Sequence, residues 1–146
     1  MRADLITLIL KNLHLSRTQQ LFRSQARGQK LSVDYDTFAR EWEAAWNSHD
    51  LDRILSHYSN DICFRSRKAV ALVGAGELHG TDALRAYWGH ALEKQQDLEF
   101  KVQHIFKGHQ MMVITYLNHR GVRAAETLFF DEEGIVNQAS ACHEAN

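Results

Sequence analysis

The sequence is poor in cysteine: its 146 residues include two, Cys63 and Cys142. Two cysteines make no disulfide framework. Each falls in a segment read as a strand, where a buried free thiol is expected. No Cys-x-x-Cys or His-Glu-x-x-His pairing occurs, and the nine histidines are spread along the chain, so no metal site is expected. Excess charge is missing too: 17 Lys and Arg against 18 Asp and Glu leave a formal net charge of -1. Such a chain offers no strong field to nucleic acid, and the basic cluster Arg65, Arg67, Lys68 is too short for a binding stripe. Long apolar runs are absent. Leu5–Leu10 falls far below the ~20 residues of a membrane-spanning helix, and no small-residue cleavage site marks a signal peptide. There is no Asn-x-Ser/Thr sequon and no Gly-x-Ser-x-Gly nucleophile elbow. The glycines Gly74, Gly76 and Gly80 do not fit the dinucleotide-binding spacing. These absences lead to the expectation of a cytoplasmic protein without cofactor, and with no membrane or nucleic-acid partner.

What is present is ordinary for one globular domain: 45% apolar and 24% charged residues in a length able to bury a core. Leu5, Leu8, Ile9 and Leu13 share a helical face. The pattern predicts an amphipathic helix over residues 1–22 and a polar linker over 23–31, so residues 1–30 stand apart from a domain over 31–146. Asp34 or Asp36 can cap a helix that starts near Thr37, with Phe38, Trp42, Ala45 and Trp46 on one stripe. Asp50 caps a second helix carrying Leu51, Ile54, Leu55 and Tyr58, and Ser59-Asn60-Asp61 ends it. Ile62–Ser66 reads as a short strand. Ala69–Val73 is ambiguous, with another strand as one reading. Thr81 caps a third helix that presents Leu84, Tyr87, Trp88, Ala91 and Leu92 inward. Residues 97–107, 110–118, 122–130 and 135–143 form a strand meander separated by turn signals. Helices first and strands after indicate an α+β fold.

Strand parity selects candidate chemistry, because alternate side chains face opposite sides of a sheet. Leu98, Phe100, Val102, His104 and Phe106 share one face, which makes His104 a polar group on an apolar row. Val122, Ala124, Glu126, Leu128 and Phe130 share another, with Glu126 as the lone carboxylate. Apolar neighbours penalise the charged carboxylate and raise its pKa, so Glu126 becomes a candidate proton-transfer group. A plain hydrogen bond to a neighbouring side chain is the competing reading. Tyr116 follows Met112 and Ile114 in parity, and its buried hydroxyl needs a partner. His143 ends the last strand on the face of Ile135, Ala139 and Ala141, either at a pocket or in solvent. Glu126, His104 and Tyr116 are therefore the candidate catalytic residues. Trp42, Trp46, Tyr58, Phe64, Tyr87, Trp88, Phe100 and His143 are the candidate walls of an apolar cavity for a flat or cyclic ligand. The other face includes Ile105, Val113, Leu117 and Phe129, apolar enough to seek cover.

Three stretches carry a family resemblance. FAREWEAAWNSHDLDRILSHYSNDICF resembles the opening of SnoaL-like and ketosteroid isomerase-like proteins of the nuclear transport factor 2-like superfamily. GELHGTDALRAYW is similar to their glycine-led third helix, and ETLFFDEEGIVNQASACHE to their closing hairpin. The resemblance spans about residues 34–144. It implies a cone-shaped α+β roll: three helices on a strongly curved antiparallel sheet, here with an extra N-terminal helix. It also implies a small apolar ligand in the cone and a homodimer through the outer sheet face. Activities among such proteins include isomerase, cyclase, dehydratase and hydrolase chemistry as well as non-catalytic binding. In the steroid isomerases a Tyr on the first helix, an Asp base after the first strand and a protonated Asp in a later strand do the work. Trp42, Ser66 and Glu126 stand at those places, so one of the three roles survives. The raised carboxyl pKa of that enzyme is an established example, and its logic is borrowed for Glu126.

Overall fold

The computed structural model describes residues 32–145; the helix and linker expected over residues 1–31 lie outside the described residues. Four helices and six strands follow in the order α1 (Tyr35–Ser48), α2 (Leu51–Leu55), β1 (Tyr58–Ser66), α3 (Arg67–Val73), β2 (Glu77–His79), α4 (Thr81–Lys94), β3 (Phe100–Gly108), β4 (Met111–Asn118), β5 (Arg123–Phe130) and β6 (Val136–His143). The strands make one curved, unclosed sheet in the order β2-β1-β6-β5-β4-β3. All neighbours are antiparallel except β1 and β6, which run parallel. The architecture is α+β, as the order of elements predicts.

Local sequence explains the helix ends. Asp34 caps α1 by accepting from the amides of Asp36 and Thr37 at 3.1 and 3.2 Å, which satisfies two of the orphan donors of the first turn. His49 terminates the helix in the left-handed region at φ 58°, and its ring nitrogen lies 2.7 Å from the Leu98 carbonyl. Asp50 caps α2 through the Arg53 amide. Tyr58 is not on that helix: the turn comes at residues 56–57, and Tyr58 opens β1 with its ring still buried. Ala69–Val73 is helical, within α3, and no strand forms there.

Helix α1 also manages the sheet edge. β3 is an edge strand, and a free edge exposes unpaired backbone groups. The Asn47 side chain donates to the Phe100 carbonyl and accepts from its amide, both at 2.8 Å. Glu43 accepts from the Val102 amide, and the Tyr35 hydroxyl donates to the Gly108 carbonyl at 2.9 Å. Side chains of the helix thus take the place of a seventh strand.

Parity fails at one point on that edge. Val102 pairs with Tyr116, but His104 pairs with Thr115, so Gln103 is an extra residue in a β-bulge. Beyond it the faces exchange. Ile105 packs on the core, whereas His104 is exposed and Phe106 is 60% exposed. A second bulge at Asn137 separates the pairs Phe129–Gln138 and Phe130–Val136, which brings Val136 rather than Ile135 into the core. The thiols depart from expectation as well: Cys63 is half-buried and Cys142 exposed.

The core lies between the inner sheet face and the helices, around Trp42, Ile54, Leu84, Met112, Ile114 and Leu128, each at most 1% exposed. Leu128→Ala is expected to lower unfolding free energy by about 2–5 kcal/mol in urea titration. Asn47→Ala removes two edge hydrogen bonds outside the core and is expected to cost about 1–2 kcal/mol, with faster hydrogen exchange at the Phe100 amide. A loss as large as that of Leu128→Ala would contradict the edge role.

Candidate functional site

The inner face of the sheet meets α1 and α4 around a cavity of about 80 Å³. Trp42 and Trp46 come from α1, Phe64 from β1, Tyr87 and Trp88 from α4, and Phe100 from β3. Their rings interlock. Trp42 stacks on Phe100 at 5.7 Å between centroids, and Trp88 meets Trp46 and Phe64 edge-on at 5.1 and 5.4 Å. Such tilted and edge-on contacts suit aromatic quadrupoles. Tyr58 is buried behind this wall rather than in it; its hydroxyl accepts from Trp42 Nε1 at 3.0 Å.

Among the described residues, Glu126 is the one acid in the wall. Regular pairing of β5 places it opposite Ile114 on β4 and Ala141 on β6, with Ala124 and Leu128 two residues away on the same face. At 3% exposure it cannot be well hydrated. Burial raises its carboxyl from the usual carboxylate range to about 8, and the Tyr116 hydroxyl, acting as hydrogen-bond donor, opposes that rise. Three phenols respond in turn. Tyr58, Tyr87 and Tyr116 are each pushed above the ordinary phenol value, first by burial and further by the Glu126 charge. Tyr116 and Tyr87 line the cavity with Glu126. Tyr87 also lies 3.5 Å from the buried Ser66 hydroxyl. Trp46 Nε1 is buried and has no acceptor among the described residues.

The mouth is basic. Lys68 from α3 and His143 from the end of β6 line the same cavity. Burial, then the Lys68 charge, lowers His143 to about 4, so its ring is neutral at physiological pH. Burial, then Arg120, lowers Lys68. Lys68 escaped the sequence reading because α3 was ambiguous with a strand; an amphipathic turn before Gly74, with Ala69 buried, is the signal that could have found it.

The structure therefore gathers Glu126, Tyr116, Trp42, Trp46, Phe64, Tyr87, Trp88, Phe100 and His143 around one hollow. It does not bring His104 there, because the bulge at Gln103 turns that ring outward. The cavity wall has no set of three metal-ligating side chains among the described residues; a Cys63, Glu77, His79 group lies on β1 and β2 instead.

The two shifted groups set opposite pH trends. Glu126 binds its proton more tightly when folded, so stability it confers is lost as pH rises towards about 8. His143 binds its proton less tightly when folded, so its contribution is gained between about 4 and the ordinary 6.5 and is then constant. Between about pH 6.5 and 8, unfolding free energy is expected to fall by about 1–2 kcal/mol in the wild type and to stay level in Glu126→Gln. Urea titrations across that window check it; a level wild-type profile would contradict a neutral buried carboxyl.

Comparison with known proteins agrees with this geometry. Residues 39–136 match the SnoaL-like domain family. A SnoaL-like protein of unknown function from Burkholderia thailandensis is similar at 36% identity, over 75% of this chain and 94% of that one, with a TM-score of 0.72. A SnoaL-like family protein from Agrobacterium tumefaciens, named for a proposed isomerase activity, shares the fold at 13% identity, 75% and 96% coverage and a TM-score of 0.60. So does a protein from Sinorhizobium meliloti named for a proposed polyketide cyclase activity, at 11% identity, 71% and 92% coverage and a TM-score of 0.60. Comparison with curated protein sequences gives no match. Among the described residues no helix is long and apolar enough to cross a membrane. On the family match and the similarity to the Burkholderia thailandensis protein, the chain belongs to the SnoaL-like domain family.

Proposed function

We propose that this protein holds a small, largely apolar ligand, with a cyclic body and one acceptor oxygen, in the cone, and that Glu126 meets that oxygen as a neutral carboxylic acid. The observation that carries the reading is a buried carboxyl at about 8 in an aromatic wall. At neutral pH such a group donates a hydrogen bond, as an ionised carboxylate cannot. The Trp46 indole N–H, without an acceptor among the described residues, adds a donor nearby, so an acceptor oxygen suits the site. The hollow of about 80 Å³ is smaller than the ~150 Å³ cavity that takes up benzene. A ring therefore enters by displacing aromatic side chains, or leaves part of its body in the mouth beside Lys68 and His143.

Acid–base turnover is the second reading, of the isomerase, cyclase, dehydratase or hydrolase type. It is favoured by a carboxyl whose proton affinity is matched to neutral pH. The names of the two distant fold neighbours are consistent with that class of chemistry. Two unpaired thiols suit the proposed cytoplasmic setting. A homodimer through the outer sheet face belongs to the same proposal, and the bulge revises its membership. Phe106 joins Val113, Leu117 and Phe129 on that face, and Ile105 leaves it.

Thermal-shift titration with aromatic ketones tests the ligand reading. Stabilisation is expected at about pH 6.5 and loss of it at about pH 9, where Glu126 ionises. Glu126→Gln, still a donor, is expected to bind at both; equal wild-type binding at both pH values would overturn the role of the acid. If Glu126→Gln keeps binding but abolishes turnover of a bound ketone, the enzymatic reading holds. For the dimer, light scattering is expected to give twice the chain mass in the wild type and the chain mass in Phe106→Glu. A wild-type monomer would remove that part of the proposal.

A further inference from the structure

On the outer face of the sheet, opposite the face that lines the cavity, β1 and β2 bring together a thiol, an imidazole and a carboxylate. Cys63 is the cross-strand partner of His79, and Arg65 of Glu77. The backbone bonds from Gly80 to the Ile62 carbonyl and from Ser66 to the Gly76 carbonyl place both pairs at non-hydrogen-bonded positions of the ladder. There Cα atoms approach to ~4.5 Å and side chains are closest. Glu77 and His79, two apart, lie on one face of β2, and Cys63 and Arg65 lie on that same face of β1. The result is that Sγ of Cys63, a carboxylate oxygen of Glu77 and a ring nitrogen of His79 all lie within 4.8 Å of one another.

We propose that Cys63, Glu77 and His79 form a binding site for a borderline-soft divalent cation of the zinc type, clipping the short edge strand β2 to β1. Sulfur, nitrogen and oxygen donors from three residues are the set such an ion takes, with water completing a tetrahedron. His79 Nε2 and Glu77 Oε1 already face each other at 2.8 Å across a shared proton. The cation takes the place of the proton between them: His79 ligates as a neutral imidazole with its N–H on Nδ1, and the Cys63 thiol proton is released to solvent. Glu77 Oε2 is held at 2.7 Å by Arg65 Nε. This guanidinium orients the carboxylate and also opposes an incoming positive charge, so it sets the affinity. Nothing in the sequence spacing resembles a common metal motif. The signal is a Glu-x-His on one strand, and it becomes a ligand set only with the register that puts Cys63 opposite.

Cobalt(II) titration of the whole chain tests the site by the thiolate-to-metal absorption that a cysteine ligand produces. One equivalent with that absorption is expected in the wild type and in Cys142→Ser. Affinity is expected to drop in Cys63→Ser and His79→Ala by at least the ~10–100-fold that loss of an outer-shell partner costs. Cys63→Ser is also expected to lose the absorption. In Arg65→Ala, binding is expected to tighten. His79→Ala changes an exposed side chain and keeps the test readable if Cys63→Ser disturbs β1. Zinc is expected to raise the unfolding temperature of the wild type and not of His79→Ala. Absence of the thiolate absorption, an absorption that follows Cys142, or wild-type affinity retained in His79→Ala would each overturn the site.

Discussion

Everything distinctive about the hollow follows from one desolvated carboxyl. Glu126 is surrounded on the inner sheet face by Ile114, Ala141, Ala124 and Leu128, none of which can solvate a charge. The acid therefore keeps its proton to about 8. The phenols around it keep theirs to still higher pH, because burial and any Glu126 charge both act against phenolate. At neutral pH the inner wall is thus rich in O–H donors and free of formal charge. The cationic group, Lys68, lies at the mouth, where partial exposure tolerates it.

The carboxyl is held by strand pairing on one side and faced by aromatic side chains on the other. Glu126 sits in a central strand that is paired on both sides, with β4 and β6, in regular register around it. The opposite wall is made of aromatic side chains that belong to the core and the cavity at once. Trp42, Trp46, Trp88 and Phe100 pack on one another through tilted, edge-on and stacked contacts. That double role explains why the hollow is small: the rings collapse inward to bury their own surface. Under the proposed ligand reading, enlarging it would exchange ring–ring contacts for ring–ligand contacts, which a flat or cyclic guest supplies better than a flexible chain.

The legibility of the site in the sequence follows the regularity of each strand. β4 and β5 pair without interruption from Met111 to Phe129, so alternation alone placed Glu126 and Tyr116 on the inner face. β3 carries an extra residue at Gln103 and β6 one at Asn137, and a bulge residue has no composition of its own. His104 was lost for that reason, and Ile105 and Phe106 exchanged faces with it. The apolar stripe of α1 was readable because it is long; α3 was not, since seven residues give too few turns to separate helix from strand. Tyr58 shows a third kind of limit: helical spacing and strand spacing both bury it, so the burial was legible but the element was not. The α+β class and the family survive such errors because they depend on the order of elements.

The family resemblance puts Trp42, Ser66 and Glu126 where steroid isomerases have a phenol, a base and a protonated acid. The structure shows what those three positions hold in this chain. Trp42 spends its N–H on the Tyr58 hydroxyl, so a phenol is present on β1 but already engaged. Ser66 is buried beside the Tyr87 hydroxyl and has no carboxylate to offer. Among the described cavity-lining residues, Glu126 is the single carboxyl. The proton affinities of His143 and Lys68 have moved the opposite way, that of His143 down to about 4. Groups pushed apart in this manner are what the proposed acid–base reading needs as donor and acceptor. Under the acid–base reading, Glu126 gives its proton to the ligand oxygen, while the neutral imidazole at the mouth is the available acceptor. That arrangement differs from a carboxylate base and makes chemistry that needs a strong base the least compatible with this hollow.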